Sequence, residues 1–309
     1  MGKAYIAINY ICNENCKYCP CSKREKNNRY IITLEEINAS IDKLIDAGIS
    51  DITLSGGEPT LHPDFLDVLI YARKNKIRVT ILTNGEMFSS KNFADDFISV
   101  SDGMSIKVIT TLHGADRKTH EDANGTDGSF ERTIQGLKYL SSNGVRVIIK
   151  HCITIYNYRD LSRFYEFISN NFPESVDIQL CGIDYCGVPE EFLQKEKLSF
   201  SRIKEKLEGF FDAFEEKAGK NKDSRNVYCI NIPLCSCDPY YWKYMMFNRK
   251  NEGYSAYRDP LSDGFAPADA ISGTDEVACS GCIAKHLCAG TYHSAFRLYG
   301  KSIVNPIYG

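Results

Sequence analysis

Over its first two-thirds the chain alternates short β-type runs with helix-length amphipathic segments, and this alternation restricts the fold more than any other feature. Ala4–Ile11, Asp51–Leu54, Ile77–Leu82, Met104–Leu112, Val145–Ile155 and Ser175–Leu180 read as strands. Thr33–Ala47, Pro63–Lys74, Lys91–Ile98, Ser129–Ser142 and Leu161–Asn170 read as the helices between them, and Phe200–Ala218 as one more. Thr33 followed by Glu36 is a capping-box pattern, and Gly48 and Gly144 supply stops. Apolar strands separated by helices predict a parallel sheet with crossover helices. Six such units match a partial (β/α) barrel or an open doubly wound sheet. In both, the loops at the carboxyl ends of the strands carry the chemistry.

Beyond about residue 220 the pattern changes. Residues 221–309 hold few periodic segments, six cysteines and an aromatic cluster, Tyr240-Tyr241-Trp242-Lys243-Tyr244. A segment with so little apolar periodicity needs a metal staple to fold. The expected organisation is a large unit, 1–220, followed by a cysteine-rich unit, 221–309.

Thirteen cysteines are the outstanding compositional fact. The number is odd and no secretion signal precedes them, which argues against a disulfide framework and for reduced thiols in a cytoplasm. Gly2 does not make a myristoylation site, because Ile6 stands where Ser or Thr is needed. No apolar run is long enough to span a membrane. A formal net charge of −3 gives no reason to expect a nucleic-acid partner, and the one basic run, Lys23 to Arg29, reads as a solvated loop. The composition is compatible with a monomer.

Cys12, Cys16 and Cys19 form a C-x3-C-x2-C set directly after the first strand. Three thiolates are what a [4Fe–4S] cluster needs if one iron is to stay open to a substrate. A zinc loop completed by a distant fourth ligand is the alternative. Cys21 could also make a trio with Cys16 and Cys19, but a one-residue gap suits two corners of a cubane poorly.

Ser55-Gly56-Gly57-Glu58-Pro59 follows the second strand, Thr83-Asn84-Gly85 the third and Thr111-Leu112-His113-Gly114 the fourth. With the cysteine set, including Tyr18 before its third cysteine, these motifs resemble the radical SAM superfamily over roughly residues 5–182. The resemblance implies a partial (β/α)6 TIM-like barrel. It also implies a catalytic [4Fe–4S] cluster on Cys12, Cys16 and Cys19, reductive cleavage of S-adenosylmethionine to a 5′-deoxyadenosyl radical, and an electron donor such as flavodoxin or ferredoxin. Tyr18, Gly56, Gly57, Glu58, Pro59, Asn84, Thr111, His113 and Gln179 are the implied cofactor-binding residues. Gly56 and Gly57 leave backbone room beside a bound ammonium group, Glu58 can accept from that amine, and Asn84 offers both donor and acceptor. His113 reads equally as a packed histidine, and Gln179 is placed at the sixth strand end.

Cys279, Cys282 and Cys288 form C-x2-C-x5-C, and Cys235 upstream can supply a fourth thiolate. The segment looks like the SPASM or twitch extensions of that superfamily, and implies one auxiliary [4Fe–4S] cluster on these four residues. A structural zinc ribbon uses the same ligands, and Cys229 or Cys237 could replace one of them. His286 reads as a solvated loop residue. Cys152 reads as a small core side chain, whereas Cys181 and Cys186 lie where a thiol could donate hydrogen to a substrate radical. Enzymes of this layout often crosslink or epimerise ribosomally made peptides. This chain begins at the first strand without the winged-helix domain that many of them carry, so small-molecule chemistry is the alternative and a non-catalytic electron carrier the second.

Overall fold

The six expected strands all form: β1 (Ala4–Asn9), β2 (Asp51–Gly56), β3 (Arg78–Thr83), β4 (Ile106–Thr111), β5 (Val147–Cys152) and β6 (Asp177–Cys181). This computed structural model describes residues 2–19, 21, 30–186, 188, 193, 195, 197–219, 223–247, 254–262, 264–267 and 271–309. The basic run at 23–29 and the expected boundary at residue 220 lie outside them. Crossovers are made by α1 (Leu34–Asp46), α2 (Phe65–Lys74), α3 (Lys91–Ser101), α4 (Arg117–Asn124), α5 (Ser129–Ser142), α6 (Leu161–Asn171) and α7 (Phe200–Ala218). The capping box at α1 is complete: Glu36 N–H donates to Thr33 Oγ1 and Thr33 N–H to the Glu36 carboxylate.

From β1 to β6 each strand pairs in parallel with the next in sequence. A doubly wound sheet reverses its strand order partway; this one does not, so the arc is of the partial-barrel kind. Alternate residues divide the two faces. Ile6 and Ile8, Ile52 and Leu54, Val79 and Ile81, Val147 and Ile149, and Ile178 and Leu180 join the core with the helices. The opposite face, toward the barrel interior, presents Tyr5, Thr53, Thr80, Thr111, Lys150 and Gln179, linked by register. An apolar wall around a polar lumen is the result.

The cysteine-rich segment does not stand apart from this sheet. β7 (Val227–Ile230) pairs with β6, and β8 (Ala256–Arg258) with β1. β9 (Ala266–Pro267) follows β8 antiparallel, giving nine strands in one sheet among the described residues. β10 (Ser272–Gly273) pairs with β11 (Thr291–Tyr292), which leads into α8 (His293–Tyr299). Tyr5 packs between Tyr254 and Tyr257, and Tyr10 donates to Asp259 at 2.8 Å. The aromatic cluster lies on α7, with Tyr244 stacked on Phe211 at 4.7 Å.

Candidate active site

The cysteine loop is positioned by backbone contacts before any side chain acts. Leaving β1, Asn9 and Ile11 accept from Gly57 N–H at 2.8 Å and Glu58 N–H at 2.7 Å, so the Gly-Gly-Glu-Pro turn is zipped to the chain entering Cys12. A Cβ on Gly56, whose φ is +136°, would stand 2.0 Å from Asn9 O, and one on Gly57 2.3 Å from Ile11 O. The glycines are therefore required first by this close approach of two strand ends. Cys21 sits on the same turn, its thiol 3.7 Å from Gly56 O.

Glu58 is buried, and protein donors already engage it. Oε1 accepts from Thr60 N–H, Thr60 Oγ1 and Thr83 Oγ1, and Oε2 accepts from Asn84 N–H at 2.7 Å. Burial raises its pKa even against these bonds. The carboxylate thus ties the end of β2 to the end of β3, while Pro59 starts the short turn that follows. Asn84 reaches the cysteine loop instead of open space: its Nδ2 donates to Asn13 Oδ1 at 2.7 Å. Asn13 in turn donates to Glu86, which holds Arg132 on α5.

The far side of the loop is strapped to α4. Asn15 and Lys17 donate their N–H groups to Asn124 O and Ala123 O, and Asn124 Nδ2 donates to Glu14. The other Glu14 oxygen accepts from the Cys16 thiol at 3.2 Å, and Cys12 Sγ accepts from Glu14 N–H. Burial and then the Glu14 carboxylate raise the Cys16 thiol. Tyr18 is buried edge-on against Tyr156, with ring centroids 5.9 Å apart.

Thr111 ends β4 in register with Lys150. His113 is buried, with its N–H on His120 Nδ1 and its carbonyl holding Asn157, while its own Nδ1 has no partner among the described residues. Burial first, then the neighbouring histidines, hold it neutral. Gln179 lies in the middle of β6, paired with Lys150 and Tyr228, and not at the strand end. Cys152 and Cys181 are register partners at the ends of β5 and β6, and Cys152, partly exposed, is not the core side chain expected of it. Lys150, Tyr292, Glu86 and Asn124 belong to none of the motifs, and Asn13 and Glu14 are spacer positions of the first cysteine set. Lys150 alone leaves a signal, a charge inside Val147-Ile148-Ile149-Lys150.

The second cysteine set encloses an apolar cavity lined by Cys235, Cys279, Cys282 and Cys288 together with Leu234 and Phe296. Backbone donors point at its sulfurs: Leu234 and Gly290 N–H reach Cys288 Sγ at 3.3 and 3.2 Å, and Ile307 N–H reaches Cys282 Sγ at 3.4 Å. Burial pushes Cys235 up to about 12. Four thiols with amide donors, and no carboxylate among the described lining residues, fit an iron–sulfur cubane, whose sulfurs take such hydrogen bonds. Cys229 and Cys237 belong to the apolar core and do not line this cavity, and His286 is exposed. Among the described residues, no three His, Cys, Asp or Glu side chains meet at the spacing of a single ion.

Comparison with known proteins gives a family. The model of the radical SAM superfamily matches residues 6–169. Fe-coproporphyrin III synthase of Methanosarcina barkeri is 30% identical over 157 residues, covering 51% of this chain and 38% of that protein. AdoMet-dependent heme synthase of the same organism is 23% identical over 243 residues, covering 78% and 63%. The chain thus spans less than two-thirds of either relative. In fold it is similar to Streptococcus suis SuiB bound to S-adenosylmethionine, with a TM-score of 0.67 and 15% identity over 99% of this chain and 76% of that one. SuiB bound to its precursor peptide SuiA gives 0.63 and 17% over 86% and 59%. With more than half its length matched, the chain belongs to the radical SAM superfamily, enzymes that use a [4Fe–4S] cluster and S-adenosylmethionine.

Proposed function

We propose that this enzyme modifies a ribosomally made peptide, by crosslinking or epimerisation, with its catalytic cluster on Cys12, Cys16 and Cys19. When bound, that cluster supplies the electron that breaks a carbon–sulfur bond of S-adenosylmethionine and leaves a 5′-deoxyadenosyl radical. The chain's own part is position. The Gly56–Gly57 turn fixes the cysteine loop, Glu58 locks it to the end of β3, and Asn84 steadies it through Asn13. Tyr18, Pro59, Thr111 and His113 complete the surroundings of S-adenosylmethionine, where neutral His113 offers a hydrogen-bonding nitrogen and no charge. Gln179, deeper in the lumen, belongs to the substrate side.

A second cubane on Cys235, Cys279, Cys282 and Cys288 fits the amide-lined cavity, and is the observation that carries the peptide reading. Crosslinking is a net oxidation and needs somewhere for an electron to go. The likeness to SuiB, which extends over 99% of this chain and so includes the cysteine-rich segment, supports the same reading. An electron donor of the flavodoxin or ferredoxin class is the implied partner. A small-molecule substrate is the second reading, favoured by the tetrapyrrole chemistry named for the sequence relatives.

Anaerobic reconstitution tests the two sites. About eight irons in the wild type, about four after Cys12, Cys16 and Cys19 are all changed to Ala, and 5′-deoxyadenosine formed with dithionite are expected. Zinc retained in place of four irons defeats the auxiliary cluster. Co-expression with each short reading frame beside the gene then decides the substrate. A peptide that loses two hydrogens, or gains solvent deuterium at an α-carbon, sustains the reading. Unaltered peptides with turnover of a porphyrin overturn it.

A further inference from the structure

The end of the lumen carries a second group of reactive side chains. Cys152 and Cys181 close β5 and β6 as register partners on adjacent parallel strands. Neighbouring strands run about 4.8 Å apart, within the Cα spacing that a disulfide spans. Both side chains lie on the lumen face, two residues beyond the register partners Lys150 and Gln179. Cys181 is fully buried, with Tyr292 Oη 3.8 Å from its sulfur and Gly182 O at 3.1 Å, whereas Cys152 is partly exposed. Lys150, two residues before Cys152 and on the same face, has these two sulfurs as its strongest electrostatic neighbours.

The proton is unevenly held. The neighbouring Cys181, and then Lys150, lower Cys152 toward thiolate, while the neighbouring Cys152 and burial raise Cys181. The ionisable groups facing the pair are Lys150 from β5, Tyr292 from β11 and Tyr254 beside Lys150.

We propose that Cys152 and Cys181 act together as a hydrogen-atom donor, a pair of adjacent sulfurs that quenches a carbon-centred radical formed in the lumen. The step balances. The radical takes the hydrogen that the pair holds, so a C–H bond forms as an S–H bond breaks. The unpaired electron stays between the sulfurs as a disulfide radical anion, with Lys150 as its counter-ion. One electron from the low-potential donor that S-adenosylmethionine cleavage already requires, and one proton from solvent, restore the pair. This rests on the function proposed above and deepens one branch of it: a built-in hydrogen source serves inversion of a peptide α-carbon.

Two measurements decide it, the first without turnover. Diamide added to the anaerobic wild type should yield a peptide linked through Cys152 and Cys181, read by mass spectrometry. Iodoacetamide at pH 7 should alkylate Cys152 about tenfold more slowly in Lys150→Gln, because only the thiolate reacts. The second uses the reconstituted enzyme with S-adenosylmethionine and dithionite in deuterated buffer, where the 5′-deoxyadenosyl radical is itself the probe. Deuterium per molecule of 5′-deoxyadenosine should fall several-fold in Cys152→Ser and in Cys181→Ala. No linked peptide, or alkylation indifferent to Lys150, overturns the pair, and unchanged deuterium overturns the donor role. Wild type that makes no 5′-deoxyadenosine is a different failure, that of the proposed function.

Discussion

At the scale of single residues, the site depends on atoms that leave no room for alternatives. Gly57→Ala places a methyl group 2.3 Å from Ile11 O, and the cysteine loop must shift. The expected cost is roughly 1–3 kcal/mol of local strain, with far-ultraviolet circular dichroism preserved and iron retention after reconstitution reduced. Full iron loading in this variant would show that the close approach does not matter. A second residue sets the response to acid. Burial brings His120 down to about 4 from 6.5, while its Nδ1 accepts from His113 N–H. Between those values the unfolded chain binds a proton that the fold refuses. Stability is therefore complete above about pH 6.5 and falls as pH drops toward 4, by up to about 1.4 kcal/mol per unit for one histidine. His151, brought to about 4 by the same cause, adds to the slope. His120→Gln should flatten it by about one proton in denaturant titrations across that range, and an unchanged slope would remove His120 from the account.

At the scale of elements, legibility followed periodicity. The strands of the barrel and the helices α1, α5 and α7 were readable because apolar residues recur at intervals of two or of three and four. α4 was not, since Arg-Lys-Thr-His-Glu-Asp-Ala-Asn has almost no apolar stripe. It forms because Asp116 caps it through Thr119 N–H and because its end receives the cysteine loop. β8 to β11 span two or three residues each, too few to show a period. The cysteines were legible as sets through their spacing, yet the Cys152–Cys181 pair was not, because register between strands is invisible in a linear pattern. The strap on α4 can be tested by Asn124→Ala. That change removes the bonds from its Nδ2 to Glu14 and Ser129 and the acceptor for Thr126 N–H. A loss of about 1–3 kcal/mol and faster release of iron to a chelator are expected. Slower or equal release would mean that the strap does not hold the loop.

At the scale of the whole molecule, the cysteine-rich segment and the barrel share one sheet, and this bears on how they fold. β7 covers the edge of β6, β8 covers the edge of β1, and both borders would otherwise present unpaired backbone. Arg258, from β8, donates to Glu36 O on α1 at 3.0 Å, and Tyr10 bonds Asp259, so the seam reaches the residues just before Cys12. Tyr241 and Tyr244 stack on Phe211 of α7, and without them that ring faces water. A chain ending at Gly219 keeps every strand-end motif but loses both edges and this aromatic cover. Such a fragment should melt without a cooperative transition, or aggregate, and should load little iron on Cys12, Cys16 and Cys19 under conditions that load the full chain. The contrast with Cys235, Cys279, Cys282 and Cys288 changed to Ala within the full chain is what makes the test informative. If those substitutions also abolish the cooperative melt, the cavity itself holds the segment in place. If they leave the melt intact while the fragment fails, the sheet edges and the aromatic seam do the holding. A fragment that melts cooperatively with a full complement of catalytic iron would show instead that the barrel is complete without its last three strands.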